Sequence, residues 1–243
     1  MTLAEWPRRV AALAQFRVAD MDEPMLADPD DHHLRRVLRA REGEEIVVTD
    51  GQGSWRICAV GASALTPLSD VGNDPALADT TLYLSPVKAD RAEWALAKAT
   101  ELGVARVVPL LARRSAVRLN GDARTRTLAR WRRVAADAAG QCRRTHDLLV
   151  GEPVTTADVP DDVCVADVAG SPEWLGVHAV AVGPEGGWES DEWGDDRRRL
   201  SLGPTVLRAE TAAVVAAALM SFGAGGWGFS LPGTVMGKDE GSQ

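Results

Sequence analysis

Two short stretches hold the residue types best suited to chemistry. "VAVGPEGGWESDEW" spans residues 180–193 and "LSLGPTVLRAET" spans 200–211, and in both a Gly-Pro pair directly follows apolar residues, Gly183-Pro184 and Gly203-Pro204. Glycine lets a ligand approach the main chain, and proline fixes the turn that follows. One such turn is ordinary. Two at the ends of consecutive strands point to a shared pocket, because ligands of open α/β sheets sit beyond the carboxyl ends of the strands.

Elimination narrows what that pocket holds. A phosphate-binding Walker loop requires Gly-Lys-Ser/Thr, whereas the equivalent place here carries Glu185 beside Gly186 and Gly187, and a carboxylate repels phosphate in a shielded site. No G-x-G-x-x-G opens after a strand. His32, His33, His146 and His178 form no H-E-x-x-H, Cys58, Cys142 and Cys164 lack metal-ligand spacing, and no G-x-S-x-G elbow is present. Metal-free chemistry is expected. A ligand with amide, hydroxyl or cationic groups suits the pocket, for example a nucleoside bearing an amino acid and a positive centre. Taken alone, Glu185 reads equally well as a turn residue bonded to neighbouring N–H groups.

The elements that must position these loops follow from the pattern of apolar residues. Residues 1–15 have helical spacing at Val10, Leu13 and Ala14 without a clear cap, and are expected to be a loosely attached extension. In "EEIVVTDGQGSWRICAV", two β-rich runs flank Asp50-Gly51-Gln52-Gly53, which reads as a hairpin within a small β domain. Residues 69–80 are polar and turn-rich, a linker. Beyond them strands alternate with helices, the signature of an α/β unit with a mainly parallel sheet. "TLYLSPV" is a strand; "DRAEWALAKATELG" is a helix with Asp90 as N-cap, Gly103 as stop and the stripe Ala92, Ala95, Ala99, Leu102. A strand over "VARVVPLL" and a helix over about 123–140 come next, then strands over "VCVADV" and "HAVAVG". A helix from Ser190, a strand over "RLSLG" and a helix over 210–220 complete the pattern.

At 243 residues and 45% hydrophobic content the chain can bury a core without staples, and its three cysteines, odd in number and far apart, suit a reducing compartment. The apolar run near Ala212–Phe222 falls short of the roughly 18 residues of a membrane span, and Glu5 and paired arginines stand where a signal peptide would be apolar. A cytoplasmic, soluble protein is expected. The net charge of −8 speaks against nucleic acid until its distribution is considered. Residues 106–144 hold eleven arginines against Asp122 and Asp137, a local charge of +9, and Arg35, Arg36, Arg39 and Arg41 follow His32 with no acid among them. Clustered guanidinium groups suit phosphate oxygens through paired hydrogen bonds, although any one run is also what a solvated helix face looks like.

The ordered stretches "HHLRRVLRAREGEEIVVTDG", "KADRAEWALAKATELGVARVVPL", "WRRVAADAAGQCRR", "VAVGPEGGWESDEW" and "LSLGPTVLRAET" resemble the RsmE family over about residues 16–225. Its members are S-adenosylmethionine-dependent methyltransferases of the knotted SPOUT class that modify N3 of a uridine in small-subunit (16S) ribosomal RNA. The resemblance implies a PUA-like β-barrel over 16–72, a SPOUT methyltransferase domain over 80–230 closed by a trefoil knot, a flexible tail over 231–243, and a homodimer. It implies that S-adenosylmethionine is held by Val182, Gly183, Pro184, Glu185, Gly186 and Gly187 together with Leu202, Gly203, Val206, Leu207 and Arg208, with Asp167 at a third strand end. A sulfonium tolerates a carboxylate where phosphate does not. Arg208 is expected to stabilise negative charge on the pyrimidine, unless it pairs with Glu210 or a phosphate. Glu210 is the available base, although an acid in a helix's first turn is already favoured by the dipole. Arg35, Arg36, Arg39, Arg114, Arg143 and Arg144 are the expected RNA contacts, with Arg36 equally able to brace a domain interface. The family often has an acid where Gly140 stands, glycine where Arg143 stands and Glu where Arg113 stands. A non-catalytic RNA-binding protein that keeps the fold is the alternative.

Overall fold

The computed structural model describes residues 5–87 and 89–223; the expected tail lies outside the described residues. A first sheet is built from β1 (Gln15–Arg17), β2 (Glu45–Thr49), β3 (Ser54–Val60), β4 (Leu65–Pro67) and β5 (Gly72–Asn73), in the order β1-β2-β3-β4 with β5 also on β3. β2 and β3 form the expected hairpin: Asp50 Oδ1 accepts the N–H groups of Gln52 (2.7 Å) and Ser54 (3.0 Å), and Gly51 and Gly53 take left-handed φ of 70° and 109°.

Alternation along these strands buries both faces. Ile46, Val48, Cys58 and Val60 pack with Phe16, Val18 and Leu34, the last from the turns α2 (Asp28–His32) and the π-helical His33–Val37. Val47, Trp55 and Ile57 point the other way and are closed by Ala12, just past α1 (Trp6–Ala11). The described part of the N-terminal segment, residues 5–15, is therefore not loosely attached. Arg9 is fully buried, its guanidinium 4.4 Å from the Trp55 ring and 5.2 Å from that of Trp6, and it makes paired bonds of 2.8 and 2.9 Å to Asp74. A polar helical fragment with few apolar residues is anchored by a buried cation, which periodicity does not reveal.

The second sheet is parallel, in the order β12-β10-β11-β6-β7-β8 with β9 also on β7. Its strands are β6 (Thr81–Leu84), β7 (Arg106–Leu111), β8 (Leu149–Val150), β9 (Val154–Thr155), β10 (Cys164–Ser171), β11 (Ala179–Val182) and β12 (Arg199–Leu200). The helices α3 (Ala89–Glu101), α4 (Gly121–Cys142) and α5 (Ala209–Gly223) join Leu82, Leu84, Val107, Val180 and Val182 in one core. Ala92, Ala95 and Ala99 of α3 and Ala213, Ala216 and Ala217 of α5 let the backbones approach closely. Fully buried leucines such as Leu82, Leu84 and Leu96 each stabilise the fold by about 1.5–3 kcal/mol. Asp90 lies in the first turn of α3, where it complements the dipole, and not at the cap.

Residues 190–198 do not form the expected helix. Trp193 leaves to fill the opposite core with Leu110, Val165 and Ala181, and the buried Glu192 carboxylate accepts the N–H groups of Arg113 (2.7 Å) and Glu189 (3.0 Å). Those bonds commit the segment to a loop.

The sheets meet where the hairpin tip docks on residues 145–147, through Gly53 N–H to Thr145 O (3.0 Å) and Asp147 N–H to Gly51 O (2.8 Å). Arg143 ends α4 in the left-handed conformation (φ 61°), a position glycine takes without strain. Its side chain offsets that strain by donating to the carbonyls of Ala12 (2.6 Å), Gly140 (3.0 Å) and Arg9 (3.2 Å). Gly140 is packed too, since a Cβ there would lie 3.1 Å from the Gln15 carbonyl oxygen.

Candidate functional site

The two Gly-Pro loops leave the carboxyl ends of β11 and β12 and face one cleft of about 570 Å³, within the ~300–1,000 Å³ of small-molecule sites. Asp167, Val182, Gly183, Pro184, Glu185, Gly187, Leu202, Gly203, Val206, Leu207 and Arg208 all line it. Gly186 does not. Its carbonyl accepts Arg114 Nη1 at 3.1 Å, and Arg114 also forks onto Glu189 at 2.8 and 3.0 Å, bracing the turn from outside.

The third wall comes from an irregularity in β10. Ala166 and Ser171 both stand opposite Leu200, so residues 167–170 bulge toward the cleft and leave Val168 68% exposed. Gly170 permits this close passage, because a Cβ there would fall 2.5 Å from the Leu200 backbone. Asp167 is oriented from two sides, accepting the Ala169 N–H at 3.0 Å and Arg199 Nη1 at 2.6 Å. The Ala169 hydrogen bond, with help from Arg199, holds the carboxyl below the usual carboxylate range against the opposing effect of burial.

Trp188 forms an apolar wall. Its indole N–H donates to Ala166 O at 3.1 Å, its ring meets Trp193 edge-on at 5.1 Å, and a Cβ on Gly183 would lie only 2.9 Å from it. The absent side chain at Gly183 is thus a packing requirement of the cleft. Trp188 stood in the motif just after Gly187, where its size next to paired glycines was the available signal. Arg199 had none, since only the parallel register of β10 and β12 brings it to Asp167.

Arg208 stands exposed on the wall with no ion pair among the described residues. It does not pair with Glu210. That carboxylate lies behind the lining, 12% exposed, with Oε1 3.7 Å from Arg91 Nε and Oε2 buried without a hydrogen-bond partner. Arg91 also reaches Glu185 Oε1 at 3.5 Å. The cleft therefore combines apolar walls, main-chain groups, carboxylates at Asp167, Glu185 and Glu189, and one outward cation. Among the described residues no group of three or more His, Cys, Asp or Glu could hold a metal ion.

The remaining expected contacts divide by their partners. Arg36 and Arg39 are exposed and without ion pairs among the described residues, Arg39 in the left-handed region at φ 55°. Arg35 is committed to Asp31 (2.7 Å) and the Gly61 carbonyl (3.0 Å). Arg144 donates to the carbonyls of His146, Thr100 (2.9 Å) and Asp147 (3.4 Å), and burial pushes its guanidinium down to about 10, still charged at neutral pH. Arg143 ties the end of α4 to the N-terminal segment, while Arg144 pins residues 146–147 to α3.

A family model described as "RNA methyltransferase domain" matches residues 74–221, and one described as "RNA methyltransferase PUA domain" matches 26–64. Ribosomal RNA small subunit methyltransferase E of Mycobacterium tuberculosis is 31% identical over 212 residues, covering 76% of this chain and 80% of the relative. The proteins of that name from Synechocystis (31% over 215 residues, 77% and 69% covered) and Bacillus subtilis (26% over 221, 79% and 86%) are also similar. The fold is shared with a putative methyltransferase of Legionella pneumophila solved with bound cofactor SAM (TM-score 0.76, 23% identity, 86% and 96% covered). It is shared as well with ribosomal RNA small subunit methyltransferase E of Neisseria gonorrhoeae bound to S-adenosyl methionine (TM-score 0.73, 24% identity, 86% and 97% covered).

Proposed function

The chain belongs to the ribosomal RNA small subunit methyltransferase E family, and from that premise we propose that it methylates N3 of a uridine in small-subunit ribosomal RNA with S-adenosylmethionine as donor. The observation that carries the reading is the single cleft shared by the loops after β11 and β12, lined by carboxylates and apolar walls, with no lysine among the described residues that line it. The fit is chemical. Trp188, Val182 and Leu207 offer apolar surface to an adenine, main-chain groups at the loop ends suit its polar edge, and Glu185 and Asp167 favour a cationic ligand over a phosphate.

When bound, S-adenosylmethionine supplies an activated methyl group on a sulfonium. The chain's own residues orient and screen the reacting nitrogen. The uridine N3 must lose its proton as it attacks, so negative charge builds on the flanking pyrimidine oxygens. Arg208, exposed on the wall and uncommitted, is the residue we assign to that charge. Glu210 is the available proton acceptor, and its unpartnered Oε2 supports that role while its place behind the lining argues for a positioning role.

We further infer that the chain folds as a PUA-like β-barrel followed by a SPOUT domain knotted through its last strands and α5, and that it acts as a homodimer. Val168 and Val206, apolar residues of the cleft's lining left 68% and 86% exposed, support a partner copy there. Of the expected RNA contacts, Arg36 and Arg39 are the two whose side chains have no partner among the described residues, which leaves them to meet RNA phosphates. Three free thiols, Cys58, Cys142 and Cys164, suit a cytoplasmic setting.

The test is transfer of labelled methyl from S-adenosylmethionine to small ribosomal subunits and to naked ribosomal RNA, with nucleoside mass analysis. N3-methyluridine is the expected product; binding of RNA without transfer to either substrate would favour the non-catalytic alternative.

A further inference from the structure

Arg91 connects parts of the site that lie far apart in the chain. It sits in the first turn of α3, its Nη1 3.5 Å from Glu185 in the loop after β11 and its Nε 3.7 Å from Glu210 just beyond the loop after β12. Among the described residues it is the one cation within ion-pair reach of either carboxylate. Glu210 is only 12% exposed, so without Arg91 its charge would be nearly buried with the helix dipole alone to offset it among the described residues. The guanidinium fork can serve two acceptors at once, which a lysine ammonium does less well.

We infer that Arg91 is a positioning residue that holds the two cofactor loops at the separation one ligand requires, by sharing its charge between Glu185 and Glu210. This rests on the proposed S-adenosylmethionine site and adds to it a part of the chain that does not line the cleft. Arg91 and Glu185 are 35% and 44% exposed, so this half of the bridge can loosen to admit a ligand, while the Glu210 half stays anchored at the base of α5. A cationic donor then shares Glu185 with Arg91, and the loops close over it.

The experiment is calorimetric titration of S-adenosylmethionine into the wild-type chain, Arg91→Ala, Arg91→Lys and Arg91→Ala combined with Glu185→Gln. Methyl transfer is measured at saturating RNA. Arg91→Ala should weaken cofactor binding about tenfold and raise KM for the cofactor far more than it lowers kcat, with RNA affinity unchanged. Arg91→Lys should recover part of the loss. Adding Glu185→Gln to Arg91→Ala should deepen the loss, because it also removes the carboxylate that faces the cationic donor. Cofactor binding by Arg91→Ala within twofold of wild type, or equal losses of cofactor and RNA binding, would overturn the inference alone. A wild-type chain that binds no S-adenosylmethionine would overturn the functional reading and this inference with it.

Discussion

Replacing Asp74 with asparagine removes the counter-charge of an arginine that no solvent reaches. Arg9 is 0% exposed, lies between Trp6 and Trp55, and places Nη1 and Nη2 at 2.8 and 2.9 Å from the Asp74 carboxylate, which also accepts Thr145 Oγ1 at 2.8 Å and Trp55 Nε1 at 3.1 Å. Removing one partner of a buried pair costs about 3–5 kcal/mol. Asparagine keeps one acceptor oxygen and the Asp74 side chain is 16% exposed, which sets the expectation near 3 kcal/mol. For a chain of this length that is a fall in Tm of about 6–12 °C. Arg9→Met should cost less, because the apolar chain still fills the space between the indoles while the carboxylate keeps two donors and some water. Calorimetry and urea titration of both single variants and the double variant form a cycle with an expected coupling of at least ~1 kcal/mol. Additivity within about 0.5 kcal/mol, or a Tm fall for Asp74→Asn below about 2 °C, would refute the reasoning.

Asp74 also sets an acid limit. Burial alone would raise its carboxyl, but hydrogen bonds from Arg9, Thr145 and Trp55 and the Arg9 charge outweigh it, leaving the group below the usual range. The unfolded chain then binds more protons between the two pKa values, so the contribution is complete above about pH 4 and lost as pH falls through the folded value. Urea midpoints between neutral and acid pH should therefore fall less steeply in Asp74→Asn than in wild type. Gly183→Ala should displace Trp188, whose ring would lie 2.9 Å from the new Cβ, at about 1–3 kcal/mol, and weaken S-adenosylmethionine binding by about tenfold; an unchanged calorimetric Kd would contradict that packing. Arg36→Ala and Arg39→Ala should each lower the salt slope of RNA binding by about one. Arg144→Ala should leave that slope alone and destabilise the fold by on the order of 2 kcal/mol, because three carbonyls lose a charged donor; the reverse pattern would exchange their roles.

The parts of this architecture governed by local rules were legible in the sequence. The Asp50–Gly53 hairpin, the alanine stripe of α3 and the two Gly-Pro loops depend on turn chemistry and periodicity, and the structure places them where those rules require. What was not legible depends on distant partners. The segment after Ser190 has helix-compatible residues, yet Glu192 spends its carboxylate on two main-chain N–H groups and Trp193 is drawn into a core. Arg143 and Arg144 look like solvent-facing charge in a basic run, and only the fold shows the carbonyls they reach. The glycine the family often has in place of Arg143 was a clue of another kind, since the position is left-handed at φ 61°. Arg91 lay in a helix the sequence did identify, but its reach to Glu185 and Glu210 follows from the packing of α3 against α5 and the adjacent loops.

The central claim is that the turns after β11 and β12 share one S-adenosylmethionine molecule. A crystal structure of the chain soaked with that molecule tests it most directly. The account predicts density in contact with both 182–187 and 202–208, its ring system beside Trp188 and its sulfonium on the carboxylate side of the cleft. A donor bound elsewhere, or held by one turn while the other stands away, would contradict it.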